Sequence, residues 1–99
     1  MKPQLSKIKT YIGFAVRSRQ IIYGVDDIIK RDFKGLVLMS SALAESSANK
    51  LKSHVTYSGG QVLSFAAEEF AELFGTDSIK AAAITDNNLA VAIKKNMTN

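Results

Sequence analysis

Residues 36–39 read Leu-Val-Leu-Met, a continuous apolar run typical of a strand that is covered on both faces. Three more short segments predict strands: residues 20–23 (QIIY), 61–63 (QVL) and 81–84 (AAAI). Alanine favours helices, so the last segment is ambiguous by propensity alone. Its shortness and its position after a Gly-Thr-Asp-Ser turn favour a buried strand.

The stretches around these strands carry apolar residues at helical spacing, and glycines at 24, 35 and 75 separate them from the strands. Asp86 and Asn87 can cap a last short helix. The four apolar stripes are Leu5, Ile8, Ile12 and Ala15; Val25, Ile28, Ile29 and Phe33; Ala44, Ala48, Leu51 and Val55; and Ala66, Phe70, Leu73 and Phe74.

Helices and strands therefore alternate from the first helix to the last. Such alternation predicts a central sheet with helices on both faces, and parallel strand pairs wherever a helix crosses over. We expect an α/β protein: a three-layer α/β/α sandwich around a mixed sheet of about four strands, mostly parallel. The 99 residues are enough for one domain, spanning residues 1–99, and no linker or repeat divides them.

The composition excludes several classes of protein. With no cysteine, the chain cannot hold a disulfide, a thiolate zinc site or an iron–sulfur cluster. No apolar run approaches the ~20 residues of a membrane span, and the N-terminal segment lacks the apolar region of a signal peptide. We expect a cytoplasmic protein that does not enter a membrane.

Candidate catalytic residues are sparse. The single histidine, His54, has no nucleophile-elbow motif to accompany it. Glu68, Glu69 and Glu72 fall at the start and on the polar side of a helix, where acids are ordinary partners of the helix dipole. We expect no catalytic residue, no metal site and no cofactor.

Positive charge is concentrated in the first part of the chain. The net charge is +4, and residues 1–60 hold ten basic and four acidic side chains. A basic cluster attracts polyanions such as nucleic acids, because neutralised phosphates release counterions. An ordinary solvated basic surface would give the same composition.

Residues 17–34 (RSRQIIYGVDDIIKRDFK) carry the most informative polar pattern. Gly24 allows a tight turn from a strand into a helix, where free backbone N–H groups and basic side chains can meet phosphates. We expect a cationic surface here that is able to bind RNA. Alternatively, Asp26 and Asp27 only stabilise the helix start, and Asp26 pairs with Lys30.

Four stretches, in this order, resemble the kink-turn-binding ribosomal protein superfamily, and in particular its small bacterial YlxQ- and YbxF-like members. They are residues 12–30 (IGFAVRSRQIIYGVDDIIK), 36–51 (LVLMSSALAESSANKL), 68–75 (EEFAELFG) and 81–93 (AAAITDNNLAVAI). The resemblance implies the same sandwich fold and a non-enzymatic protein that binds structured RNA, commonly a kink-turn.

The resemblance also assigns RNA contacts. Where kink-turn binders carry Gly-x-Asn-Glu and then a lysine, this chain has Gly24, Val25, Asp26, Asp27 and Lys30. Basic residues before this segment would approach phosphates. The RNA-binding residues implied in all are Arg17, Arg19, Gln20, Gly24, Asp26, Asp27, Lys30, Lys34, Ser78 and Ile79.

The last two of these residues lie in the loop at 76–79, from which the family packs an apolar side chain on an extruded nucleotide. Ile79 is the matching residue here, and a core position at a strand start is the alternative. The implied partner is structured RNA, such as ribosomal RNA or the ribosome, bound by a monomer. A protein–protein interaction module on the same fold is the competing interpretation.

Overall fold

A computed structural model describes residues 4–31 and 35–97. Five helices and four strands alternate in it, as predicted. They are α1 (Leu5–Arg17), β1 (Ile21–Tyr23), α2 (Val25–Lys30), β2 (Leu36–Ser40), α3 (Glu45–Tyr57), β3 (Gln61–Phe65), α4 (Ala67–Phe74), β4 (Ala81–Ile84) and α5 (Asn87–Lys95).

The four strands form one sheet in the order β1-β4-β2-β3. Strands β2 and β3 pair in parallel, with Leu36 opposite Gln61. Strand β4 is antiparallel to both of its neighbours, β1 and β2. The mixed sheet is thus confirmed, but the expectation of mostly parallel pairing is wrong. The crossover argument holds for β1, β2 and β3, which run in one direction; β4 lies between two of them and runs the other way.

Helices cover both faces of this sheet, which confirms the three-layer sandwich. Along β2, Leu36 and Leu38 pack into a core cluster with α1, α4 and α5, whereas Val37 and Met39 pack into a second cluster with α2 and α3. Every residue of β2 and β4 is buried. The alanine-rich segment 81–84 is therefore a central strand, because burial on both faces outweighs the helical propensity of alanine.

The predicted stripes differ from the observed helices mainly at helix ends. Ala44 and Ala66 are exposed N-cap residues of α3 and α4, not core residues. At the start of α4 the Glu69 carboxylate accepts a hydrogen bond from the backbone N–H of the N-cap residue Ala66 at 3.2 Å, so this N–H group has a partner. Asp86 caps α5 by accepting the N–H groups of Asn88 (2.8 Å) and Leu89 (3.1 Å).

Helix α2 is shorter than its apolar stripe suggests, because it ends at Lys30 with Arg31 as its C-cap. Phe33, the last residue of that stripe, lies outside the described residues. Every helix that the structure describes is too short or too polar to reach across a bilayer.

Candidate RNA-binding surface

One edge of the sheet brings together two segments that are far apart in sequence. The Gly24 N–H donates to the Ala81 carbonyl at 2.9 Å, and the Ser40 N–H donates to the Lys80 carbonyl at 2.9 Å. Strands β1, β2 and β3 end at this edge, and β4 begins there. We call residues 24–30 and 76–80 together the carboxyl edge.

Gly24 gives the carboxyl edge its turn. Its backbone has φ 91° and ψ 146°, a conformation that side chains strongly disfavour, and a Cβ built there would meet nothing within 4 Å. Glycine is therefore required here by the backbone conformation and not by lack of space. The predicted tight turn from strand to helix is confirmed.

Three of the expected RNA contacts follow directly in α2. Asp26, Asp27 and Lys30 are all exposed, so they are available to a partner. The two acids lie in the first turn, where they interact favourably with the helix dipole, and no side chain caps the helix through a hydrogen bond. Lys30 is the last residue of the helix.

The loop at 76–80 is organised by its own polar groups. The Ser78 N–H donates to the Thr76 hydroxyl at 3.2 Å, and the two hydroxyls are 3.0 Å apart. The Lys80 ammonium donates to the Asp77 carbonyl. Ser78 is exposed, as an RNA contact must be.

Ile79 is placed differently from its expected role. Its side chain is half-buried and packs against the core cluster formed with α1, α4 and α5. The structure supports the alternative, a core residue before a strand, because packing in the core removes most of the side chain from a partner's reach.

The structure also separates the residues that were expected to approach phosphates. Gln20 precedes β1, and its carbonyl accepts the Thr85 N–H at 3.0 Å beyond the end of β4. Arg19 lies beside it, with a φ of 59° that is uncommon for any residue but glycine. Gly24 follows the other end of β1, roughly 13 Å from Gln20 at the usual rise of a strand. Arg19 and Gln20 therefore do not belong to the carboxyl edge.

Among the residues that were expected to approach phosphates, Arg17 alone of the described ones lies near the carboxyl edge. Its guanidinium carbon lies 4.9 Å from the centre of the Phe14 ring, and its side chain lines a groove together with Tyr23 and Gly75, which are next to the carboxyl edge in sequence. Lys34, the remaining expected contact, lies outside the described residues.

Charge at the carboxyl edge is balanced and not cationic. Three acids, Asp26, Asp27 and Asp77, lie there with the bases Lys30 and Lys80, and Arg31 caps α2 beside them. The expectation of a cationic surface is wrong for the described residues, because the sequence's basic excess resides elsewhere. Helix α1 contributes Lys7, Lys9 and Arg17, and α5 contributes Lys94 and Lys95.

Sequence reasoning missed three residues around this edge: Tyr23, Phe74 and Lys80. Tyr23 is 40% exposed although it ends a strand, and its ring contacts Phe74. The sequence feature that could have indicated Tyr23 is an aromatic residue directly before the glycine of a turn.

In residues 4–31 and 35–97 no three histidine, aspartate or glutamate side chains gather to hold a metal ion.

Comparison with known proteins identifies the fold alone. One solved structure, of a protein with unknown function from Bacillus halodurans, superposes with a TM-score of 0.82 at 18% sequence identity. The match covers 94% of this chain and 98% of the other. No family model matches the chain, and no curated protein does.

Proposed function

We propose that this protein is a non-enzymatic, cytoplasmic RNA-binding protein whose carboxyl edge binds a kink-turn or a similarly structured RNA, such as ribosomal RNA or another RNA of translation. The observation that carries the proposal is the hydrogen bond from Gly24 to Ala81. This bond holds the two segments to which the family resemblance assigns RNA contacts side by side. The protein acts as a monomer in this proposal.

The exposed groups of this edge match the chemistry of RNA. Lys30 can contact a phosphate or a base edge, and the Ser78 hydroxyl can donate to a phosphate oxygen. The carboxylates of Asp26 and Asp27 can only accept, so they suit the exocyclic amino groups of bases. Lys30 and Lys80 attract phosphates at this edge, whereas the two aspartates repel them.

Replacing Lys30 by alanine should weaken binding to a kink-turn RNA by about 1 kcal/mol, close to fivefold, which is the contribution of one phosphate or base-edge contact. Electrophoretic or calorimetric titration at fixed salt measures the change. Lys52→Ala, an exposed lysine of α3 outside the carboxyl edge, is the matched control and should bind like the wild type. Equal losses in both variants would show nonspecific attraction, and the absence of RNA binding by the wild type would refute the proposal.

The balanced charge of the edge favours a second candidate function, a protein–protein interaction module. Aspartates and lysines would then form the polar rim of an interface. A salt titration separates the two functions. RNA binding should weaken steeply as salt rises, since displaced counterions drive it, whereas a mainly apolar protein interface should respond little.

A further inference from the structure

A groove runs beside α1, next to the carboxyl edge. It has a volume of about 330 Å³, near the lower end of the range for small-molecule sites (~300 Å³). We call it the aromatic groove. Its side-chain lining comes from α1, β1 and α4, and its lining residues are Lys9, Ile12, Gly13, Val16, Arg17, Tyr23, Leu73, Phe74 and Gly75.

The aromatic rings in this groove are held in place by packing against a buried ring of the core. Tyr23 meets Phe74 edge to face, with ring centres 6.4 Å apart and planes at 74°. Phe74 in turn lies 4.6 Å from Phe70, which is fully buried. The Tyr23 ring is therefore an exposed apolar surface on a fixed support, which lowers the entropic cost of binding a flat ligand.

Exposed apolar surface is concentrated around the groove. Among the described residues only five large hydrophobic side chains are exposed, and three of them belong to this region: Phe14 (46%), Val16 (44%) and Tyr23 (40%). The exposed basic side chains of Lys9 and Arg17 line the same groove. A patch of this kind marks a binding surface more often than an accident of packing.

The charges of the groove select the ligand. Lys9 and Arg17 are exposed and line it, and no carboxylate is among the described lining residues. The guanidinium of Arg17 lies over the Phe14 ring, so it presents both a flat face and a positive charge. Apolar rings beside cations suit a nucleotide, whose base stacks while its phosphate is neutralised.

We infer that the aromatic groove binds a single-stranded nucleotide that flanks the structured RNA held by the carboxyl edge, an inference that rests on the proposed function. Tyr23 directly precedes Gly24, and Gly75 directly precedes the loop at 76–80, so two lining residues of the groove are joined by a peptide bond to the two segments of the carboxyl edge.

The chain has no tryptophan, so Tyr23→Trp introduces a single reporter into the groove. A kink-turn duplex with blunt ends is compared with the same duplex carrying a short single-stranded uridine extension. The extension is placed at each end of the duplex in turn. We expect the extended RNA to quench the emission of the introduced indole and to bind the wild type at least about fivefold more tightly than the blunt RNA, as one base–aromatic stack would provide.

Two variants control this experiment. Tyr57→Trp places the reporter on α3, at a side chain that is 94% exposed and outside the groove, and its emission should not respond to the extension. Arg17→Gln, at an exposed position, should remove most of the advantage of the extended RNA without unfolding the protein, which a thermal melt confirms.

The outcomes separate the inference from the proposed function. Equal affinity for the two RNAs, with unchanged indole emission, overturns the inference and leaves RNA binding at the carboxyl edge standing. Quenching by an apolar peptide but by neither RNA overturns it in favour of a protein partner. If neither RNA binds, the proposed function fails and the inference fails with it.

Discussion

The Phe70→Ala variant should lose about 3–5 kcal/mol of unfolding free energy, as deletion of a buried phenylalanine usually does. Phe70 is only 1% exposed, and its ring lies 4.6 Å from that of Phe74 and 6.5 Å from that of Phe65. It thus joins α4 to β3 and supports the floor of the aromatic groove. The loss is a large share of the ~5–15 kcal/mol that a domain typically has. Denaturant unfolding followed by circular dichroism measures it.

Tyr57→Ala is the control for this substitution. Tyr57 is an aromatic residue of α3 with 94% of its side chain exposed, so its removal should change the unfolding free energy by no more than about 0.5 kcal/mol. A similar, small loss in both variants would contradict the packing of α4 described above.

Replacing Gly60 by alanine should cost about 1–3 kcal/mol, the usual range for overpacking. A Cβ at this position would lie 2.5 Å from the Gly35 carbonyl oxygen and 2.9 Å from a Val55 methyl carbon. The first contact is with backbone, so no rotamer change relieves it. The Gly60 N–H also donates to the Val55 carbonyl at 2.8 Å, and the Gln61 N–H to the Gly35 carbonyl at 2.8 Å, which fix the turn that leads into β3.

Gly13→Ala tests the same exchange where there is room. Gly13 is in the interior of α1, and a Cβ there would meet only the Arg17 guanidinium at 3.5 Å, an ordinary contact. Alanine should therefore stabilise the helix by up to ~1 kcal/mol. The two glycine variants are expected to change the midpoint of unfolding in opposite directions, and a rise in the midpoint of the Gly60→Ala variant would contradict the close approach at Gly60.

Hydrophobic periodicity predicted most of the fold because burial on defined faces leaves a mark on the sequence. The spacing of Ile8, Ile12 and Ala15 predicted α1, and the continuous run LVLM predicted the central strand β2. The position of β4 could not be predicted in this way. Which strand lies between which others depends on how helix faces pack together, and the four residues Ala81–Ile84 carry no sign of their neighbours or direction.

The candidate site was only partly accessible to sequence reasoning. Gly24 and Lys30 could be singled out from the local pattern and the family resemblance, and the structure leaves both exposed at the carboxyl edge. The roles of Ile79 and Arg19 could not be resolved from sequence. A residue such as Ile79 can face either the core or solvent, and the position of Arg19 depends on which end of β1 it precedes. The strand pattern at residues 20–23 does not predict that the Tyr23 ring is exposed, since sequence alone does not show which strand ends stay uncovered.

Backbone amide chemical shifts recorded while a kink-turn RNA is titrated at fixed salt test RNA binding at the carboxyl edge most directly. We predict that the largest shifts fall within residues 24–30 and 76–80, on both segments at the same RNA concentration, because the Gly24–Ala81 hydrogen bond makes them one surface. Shifts concentrated on α3 or α5, shifts in only one of the two segments, or a spectrum that does not change would contradict it.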